Sequence, residues 1–302
     1  MAPDAVETYT WPQMTDETES SGDRAVTAVT HDGAFRVIVM RTTDTVRRSI
    51  ETQEIEGDNA RNLADVLSGS ILVRLTMAPT YRVQGIVRGP DQRGTLVGDS
   101  HPDGSARGLI QRPKGLKEVS LGDGAVMVMM RTLPTGAVNQ GMVEVPASGI
   151  SGALMGYFQA SEQITSVARV GCVFEGGELV AAGGYLVQLL PEVSRAPLAV
   201  MTERLDADFS DIPSVVRGIQ KDPDEMLSEI LWQMPFEKTQ ETQLRFGCHC
   251  SSVRVLSSLA TLPRSDIEDL MSSEESLHIT CDYCGQVYEI PPSALAGLLS
   301  SS

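Results

Sequence analysis

Four of the five cysteines in this 302-residue chain lie close together near its C-terminal end. Cys248 and Cys250 form a CxC pair, and Cys281 and Cys284 form a CxxC pair after thirty intervening residues. Zinc prefers four soft ligands at tetrahedral corners, and two short loops that each carry two thiolates supply them with little strain. The spacing therefore predicts that these four cysteines bind one zinc ion per chain in the reduced state.

Three further side chains of ligand type lie outside this set. His249 and His278 are close enough in the sequence to compete as ligands, but four cysteines already fill a tetrahedral shell. Cys172 stands alone in a strand-like stretch and is predicted to be a buried core residue. We therefore expect none of the three to take part in metal binding.

The residues around the two pairs predict a compact C-terminal module over residues 248–302. Residues 277–280 and 286–290 have the pattern of two short strands joined by the CxxC turn, and Gly285 can adopt the positive φ that such a turn needs. A unit of this size buries little apolar surface, whereas metal binding contributes roughly 10 to 16 kcal/mol in comparable domains. We expect the module to unfold without zinc. From spacing alone, an inert structural zinc module remains an equally good interpretation.

The rest of the chain has the pattern of an α+β protein. Strand-like stretches outnumber helical ones and do not alternate with them regularly, which predicts an N-terminal mixed α/β core domain with antiparallel strands. Residues 1–23 are acidic and without periodicity, and they are interpreted as a disordered leader. The predicted order is leader 1–23, core domain 24–195, helical connector 196–247 and zinc-binding module 248–302.

The connector is acidic but keeps a helical period. After a start at Asp222 and Pro223, apolar side chains recur on one face opposite polar ones. The apolar residues of this stretch are Met226, Leu227, Ile230, Leu231, Trp232 and Met234.

Composition limits the partners of the chain. A formal net charge of -16 disfavours non-specific binding to nucleic acid or to anionic membranes, because both would be repelled. Apolar runs are far shorter than the roughly 20 residues that a membrane helix needs, and the acidic N-terminus has no signal-peptide core. We therefore expect a cytoplasmic protein, in which clustered thiols stay reduced and are metal ligands or redox groups.

Three rival classes fit less well. From Arg245 onward the chain has three basic residues against seven acidic ones, which disfavours a zinc-ribbon that binds nucleic acid. A thioredoxin-like oxidoreductase would need a βαβ context around its CxxC pair. The chain also lacks a GxxxxGK[ST] loop and the HExxH, GxSxG and GxGxxG motifs, so we expect no enzyme activity and no use of ATP.

The two cysteine motifs and their surroundings resemble the redox switch of the Hsp33 family of molecular chaperones. The string from Cys281 to Gly285, with Tyr288, is similar to the family's second motif. Further residues resemble the signature of its core domain: Phe158, Ser161, Glu162, Gln163, Ala181, Ala182, Gly183, Gly184, Leu186, Gln188 and Pro191. The likeness covers roughly residues 34–290. It departs at Ser252 and Val253, where the family usually has an arginine and an acidic residue, so contacts between the domains can differ.

The resemblance implies an ATP-independent holdase that binds unfolding proteins under oxidative stress. It implies an inactive form that is reduced and zinc-bound, and an active form with disulfides Cys248–Cys250 and Cys281–Cys284, zinc release and a homodimeric state. If the connector packs on the zinc module, loss of the metal would free its apolar residues, which are then candidate client-binding groups: Met226, Leu227, Ile230, Leu231, Trp232 and Met234. The alternative is a structural zinc-ribbon module for protein interaction without chaperone activity.

Overall fold

A computed structural model describes residues 22–90, 93–190, 196–272 and 276–300 of the chain. The predicted leader and Pro191 lie outside these residues, with the exception of Gly22 and Asp23 at the end of the leader. Asp23 is buried, and its carboxylate accepts hydrogen bonds from the backbone N–H groups of Asp44 (3.2 Å) and Thr45 (2.6 Å). It therefore belongs to the core, because it satisfies N–H groups that are left free at the start of a helix.

Thirteen strands in the described residues form three sheets. Sheet 1 has the order β10-β1-β2-β9-β8 and sheet 2 the order β11-β5-β4-β3-β6-β7, while β12 and β13 form a hairpin. All neighbours are antiparallel except β11 and β5. The strands are β1 Arg24–Thr30, β2 Phe35–Arg41, β3 Arg82–Arg88, β4 Thr95–Ser100, β5 Ser105–Gln111, β6 Val126–Thr132, β7 Val138–Glu144, β8 Ser166–Glu175, β9 Glu178–Leu189, β10 Phe236–Gln243, β11 Arg245–Phe246, β12 Leu277–Thr280 and β13 Val287–Ile290.

The helices cover the sheets and fill the space between them. Helix α3 continues into a π-helical turn over Phe158–Glu162. None of the described helices is both long and apolar enough to cross a membrane. The helices are α1 Thr43–Gln53, α2 Gly57–Thr76, α3 Gly149–Tyr157, α4 Ala196–Asp208, α5 Ile212–Lys221, α6 Pro223–Ile230, α7 Ser252–Leu259, α8 Arg264–Met271 and α9 Pro292–Ser300.

Helix α2 is the centre of the core domain. It is buried on nearly all sides and packs against strands of both sheets, as expected of a helix without a polar face. Strand β4 approaches it so closely that a Cβ on Gly98 would lie 2.8 Å from the Leu67 Cα and 2.7 Å from the Val66 carbonyl oxygen. Glycine at position 98 therefore allows direct contact between helix and strand. The predicted α+β class with antiparallel sheets is confirmed.

The connector differs from the predicted helical segment in its last part. Helices α4 to α6 account for most of residues 196–230, but Phe236–Gln243 is a strand that pairs with β1, and Arg245–Phe246 pairs with β5. Most side chains of β10 are exposed, so its sequence has no apolar alternation to identify it. Its strand conformation comes from backbone pairing at a sheet edge. The segment thus contributes an edge strand to each core sheet.

Candidate metal centre

The first cysteine pair follows the edge of sheet 2. Strand β11 lies parallel to β5, and the N–H of Gly247 donates to the carbonyl oxygen of Ala106 (3.0 Å), which directs Cys248 along the end of that sheet. After Cys250, the Ser251 hydroxyl accepts a hydrogen bond from the N–H of Arg254 and caps α7. The pair is therefore held between a core strand and the first helix of the C-terminal module.

The second pair lies in the turn between β12 and β13. The N–H of Gly285 donates to the Cys281 carbonyl (2.8 Å), and the N–H of Cys281 donates to the Gln286 carbonyl (2.8 Å). Gly285 has a φ of 73°, a left-handed value that costs glycine little. The predicted strand–turn–strand arrangement is present, and the turn directs both sulfurs to one side.

The four sulfurs form one cluster. Their Sγ atoms all lie within 4.8 Å of one another, with 3.7 Å between Cys248 and Cys281 and 3.4 Å between Cys250 and Cys284. A tetrahedral site with Zn–S bonds of about 2.3 Å has edges of about 3.8 Å. The donor set and its spacing therefore fit a metal ion of this kind. All four sulfurs are near enough to one another that distance alone does not select a disulfide pairing.

The other potential ligands are placed elsewhere. The Nε2 atom of His249 lies 2.7 Å from the Ser105 hydroxyl, and His278 is exposed on β12. Cys172 lies on β8, where it is half-buried against the core rather than fully buried, and its Sγ is 3.9 Å from the Arg61 carbonyl oxygen. Within the described residues, the group of four cysteines includes none of these three.

Two hydrogen-bond donors face the sulfurs. The Arg107 guanidinium donates from Nη1 to the Cys248 Sγ (2.9 Å), and the Tyr288 hydroxyl donates to the Cys250 Sγ (3.0 Å). Tyr288 belongs to the second motif, so its place near the site agrees with the sequence pattern. Arg107 was missed, because it comes from a core strand 141 positions away and no spacing rule connects it to the cysteines.

The surroundings shift the pKa values of Cys248, Cys281 and Cys284 in different directions. Burial opposes ionisation of Cys248, but hydrogen bonds from Cys250 and the hydrogen bond and charge of Arg107 outweigh it and lower the Cys248 pKa to about 7. Burial raises the pKa of Cys281 and, together with the neighbouring sulfurs, raises that of Cys284 well above its usual range. Burial and the nearby Asp65 likewise raise the pKa of Cys172. Without metal, Cys248 is therefore more readily available to an oxidant as a thiolate than Cys281 or Cys284.

The C-terminal module has a small core of its own. In its described part, Ile267, Ile290 and Leu295 are buried, and only partly buried apolar side chains surround them. So few buried groups contribute little hydrophobic stabilisation at about 25 cal/mol per Å². The four-sulfur cluster is therefore the main candidate for what stabilises this module.

The apolar face of the connector does not pack on the metal module. Helix α6 lies against β1, β2 and α5, which corrects the arrangement considered from the sequence. Its residues Met226, Leu227, Ile230 and Leu231 are buried in one cluster with side chains of sheet 1 and of α4 and α5. Met234 is partly buried there, whereas Trp232 is 65% exposed.

The fold and the site define a class of proteins that have an α+β core, a long connector and a C-terminal four-cysteine module able to bind a metal ion. The family model described as Hsp33 protein matches residues 23–291, and the chain belongs to the Hsp33 family of chaperones. The 33 kDa chaperonin of Streptococcus sanguinis is 24% identical over 289 residues, covering 92% of this chain and 98% of the relative. That of Syntrophotalea carbinolica is 26% identical over 288 residues, covering 92% and 99%.

A solved structure shows the same fold. The crystal structure of the 33 kDa chaperonin (Heat shock protein 33 homolog) from Thermotoga maritima superposes with a TM-score of 0.74. The match covers 92% of this chain and 98% of that one, at 20% sequence identity. Membership in a chaperone family implies that unfolded client proteins are the partners of this chain.

Proposed function

We propose that this chain is an ATP-independent holdase whose activity is controlled by a zinc-bound redox switch at Cys248, Cys250, Cys281 and Cys284. The observation that carries the proposal is the cluster of four sulfurs at metal-ligand spacing inside a module with a very small apolar core. Such a module keeps its fold only while the sulfurs are held together. The proposed cellular setting is the cytoplasm, where thiols stay reduced until an oxidant appears.

The chemistry of the switch follows from the thiolates. Zinc, when bound, keeps the four sulfurs deprotonated, which is the form that peroxides oxidise. Two molecules of hydrogen peroxide take four electrons from four thiolates and, with four protons, yield two disulfides and four waters. We propose the pairing Cys248–Cys250 and Cys281–Cys284, which is local in the chain. The disulfide sulfurs no longer serve as ligands, so oxidation releases the metal and leaves the module without its main support.

The chain path suggests how this loss reaches a client-binding surface. Helix α6 is followed directly by β10, β11 and Cys248, so the connector ends in edge strands anchored next to the metal site. When the module unfolds, the chain that follows β11 is no longer held in place. The pairing of β10 with the edge of sheet 1 is then weakened as well. Opening of this edge loosens α6, whose buried face covers apolar side chains of sheet 1. The proposed client surface is this face together with the sheet that it covers.

Peroxide treatment with mild heating tests the proposal on the full chain. We expect the reduced protein to contain about one zinc ion, and oxidation to release it, to leave Cys172 as the remaining free thiol and to start suppression of aggregation of an unfolding test protein. Cys172→Ser, which removes the thiol outside the cluster, is the control: it should release zinc and gain activity like wild type but leave no free thiol after oxidation. We also expect the oxidised form to pair as a homodimer in sedimentation.

Two outcomes would contradict the proposal. Zinc retained by a Cys281→Ser, Cys284→Ser double variant would place the metal elsewhere. Release of zinc without any gain in suppression of aggregation would leave a structural zinc module for protein interaction as the better description.

A further inference from the structure

Arg107 connects the core domain to both cysteine motifs. Its side chain, on β5, is 8% exposed. Nε and Nη2 donate to Oδ2 of Asp99 at 3.0 and 2.9 Å, and Nη1 donates to the Cys248 Sγ at 2.9 Å. The guanidinium also lies over the ring of Tyr283, with Cζ 3.9 Å from the ring centroid. One core side chain thus contacts a cysteine of the first pair and one of the two residues that lie between the cysteines of the second pair.

The position of Arg107 is set by a buried carboxylate. Asp99 is fully buried and also accepts two hydrogen bonds from Arg82, at 2.7 and 2.8 Å. The Nε2 atom of His101 lies 3.2 Å from Oδ2 of Asp99. Burial opposes ionisation of Asp99, but hydrogen bonds and charge from His101 and Arg82 outweigh it and hold its pKa below the usual range. The carboxylate is therefore a fixed anchor for the guanidinium.

The Cys248 sulfur can balance the charge of the cluster formed by Asp99, Arg82 and Arg107. Two guanidinium groups, Arg82 and Arg107, share the single carboxylate of Asp99, which leaves one positive charge in excess. Arg82 is one-third exposed and is screened by water, whereas Arg107 is enclosed. A metal-bound Cys248 thiolate supplies the missing negative charge, but a disulfide sulfur is neutral and a weak acceptor. After oxidation Arg107 keeps its ion pair with Asp99, but its Nη1 then faces a neutral sulfur and the enclosed group retains an uncompensated positive charge.

We infer that Arg107 is the positioning residue that couples the state of the cysteine cluster to docking of the module on sheet 2. While Cys248 is a thiolate ligand, Arg107 holds both cysteine motifs against the core. When Cys248 enters a disulfide, the contact loses its charge complement and the module separates from the sheet. This inference rests on the proposed redox function. The oxidation is the peroxide reaction given above, and Arg107 itself is chemically unchanged.

Other contacts across the same boundary provide a matched control. Gln53 on α1 donates from Nε2 to the carbonyl oxygens of Asp282 (2.7 Å) and Tyr283 (3.5 Å). These hydrogen bonds join neutral groups and touch no sulfur, so they help docking without sensing the charge of the cluster. Gln53→Ala therefore removes these boundary contacts, together with the hydrogen bond that Gln53 Oε1 accepts from the Ile110 N–H of β5 (3.0 Å), but no contact with a sulfur. Arg107→Gln removes the contact with the sulfur and the ring.

The experiment compares zinc affinity and hydrogen exchange in the reduced, zinc-loaded full chain. We expect Arg107→Gln to weaken zinc binding in a chelator competition by about tenfold or more, because loss of such supporting contacts typically costs 10- to 100-fold. Exchange over residues 281–285 should rise while zinc remains bound. Gln53→Ala should raise that exchange but change zinc affinity less than about threefold. Arg107→Lys, which keeps the charge but not the three-way geometry, should lie between Arg107→Gln and wild type.

The wild-type protein gives a second, independent readout. Peroxide should raise exchange over residues 105–111 of sheet 2 as well as over 281–285, because undocking exposes both sides. Zinc affinity within twofold of wild type in both arginine variants, or unchanged exchange at 105–111 after oxidation, would overturn the role of Arg107. If wild type itself neither binds zinc nor gains holdase activity with peroxide, the proposed function fails instead.

Discussion

At the scale of single residues, two carboxyl groups in the described part of the chain, Asp99 and Asp65, behave in opposite ways on burial. Asp99 has guanidinium partners and stays ionised, as the coupling to Arg107 requires. Asp65 on α2 lies near Cys172, and its Oδ1 is buried with no hydrogen-bond partner in the described chain. Burial raises the Asp65 pKa to about 7, against smaller opposing effects of the Cys172 thiol and the Arg61 charge. Neighbouring charges, rather than burial alone, decide which carboxyl ionises.

The raised pKa of Asp65 predicts a pH-dependent loss of stability. Between about pH 4 and pH 7 the unfolded chain ionises this group while the folded chain keeps it protonated, so the free energy of unfolding falls as pH rises. Asp65→Asn removes that loss. We expect the variant to gain about 3 kcal/mol relative to wild type at pH 8 compared with pH 4.5, measured by urea unfolding. The exposed Asp123→Asn is the control, and an equal gain in both variants would refute the assignment.

At the scale of elements, α6 is held at both ends and along its face. Arg24 of β1 pairs with Asp222 (3.0 Å) and Asp224 (2.6 Å) at its N-terminus, and Arg204 of α4 donates to the carbonyl oxygens of Glu229 (2.5 Å) and Trp232 (3.0 Å) at its end. Partly exposed pairs of this kind contribute little each. The buried apolar face is therefore the larger contribution to holding α6 in place.

Truncating this face should release α6 without oxidation. Ile230 is fully buried, so we expect Ile230→Ala to lower the free energy of unfolding by about 2–4 kcal/mol and to expose apolar surface of sheet 1 in the reduced, zinc-loaded protein. The reduced variant should suppress aggregation in part, whereas reduced wild type should not.

Trp232 provides the matched comparison, since it follows the same helix but is exposed. Trp232→Ala should change stability by less than about 0.5 kcal/mol. A destabilised Ile230→Ala protein that remained inactive in its reduced form would show that clients bind elsewhere.

At the scale of the whole molecule, two cores of very different size share one chain. The core domain surrounds α2 with buried side chains from both sheets, whereas the C-terminal module has three buried side chains in its described part. Stability is therefore distributed unevenly, and the metal-dependent part should open first.

Removing the metal under reducing conditions tests whether the two parts differ in stability. With a chelator and a thiol reductant present, we expect hydrogen exchange to rise over residues 252–271 and 276–300, while β2 and β9 in the middle of sheet 1 stay protected. Metal loss alone should thus unfold the module. Unchanged exchange over the module would show that its small apolar core is sufficient without zinc.

The cysteine spacing, Gly285 and the strand pattern around it determined the candidate site from the sequence alone, because ligand type and turn geometry are local properties. The α+β class and most core elements followed from hydrophobic periodicity for the same reason. The edge strand β10, the burial of α6 on sheet 1 and the contact of Arg107 with Cys248 were decided only by tertiary structure. Each of these joins residues far apart in the chain through backbone pairing, packing or charge, which leave no local pattern in a sequence.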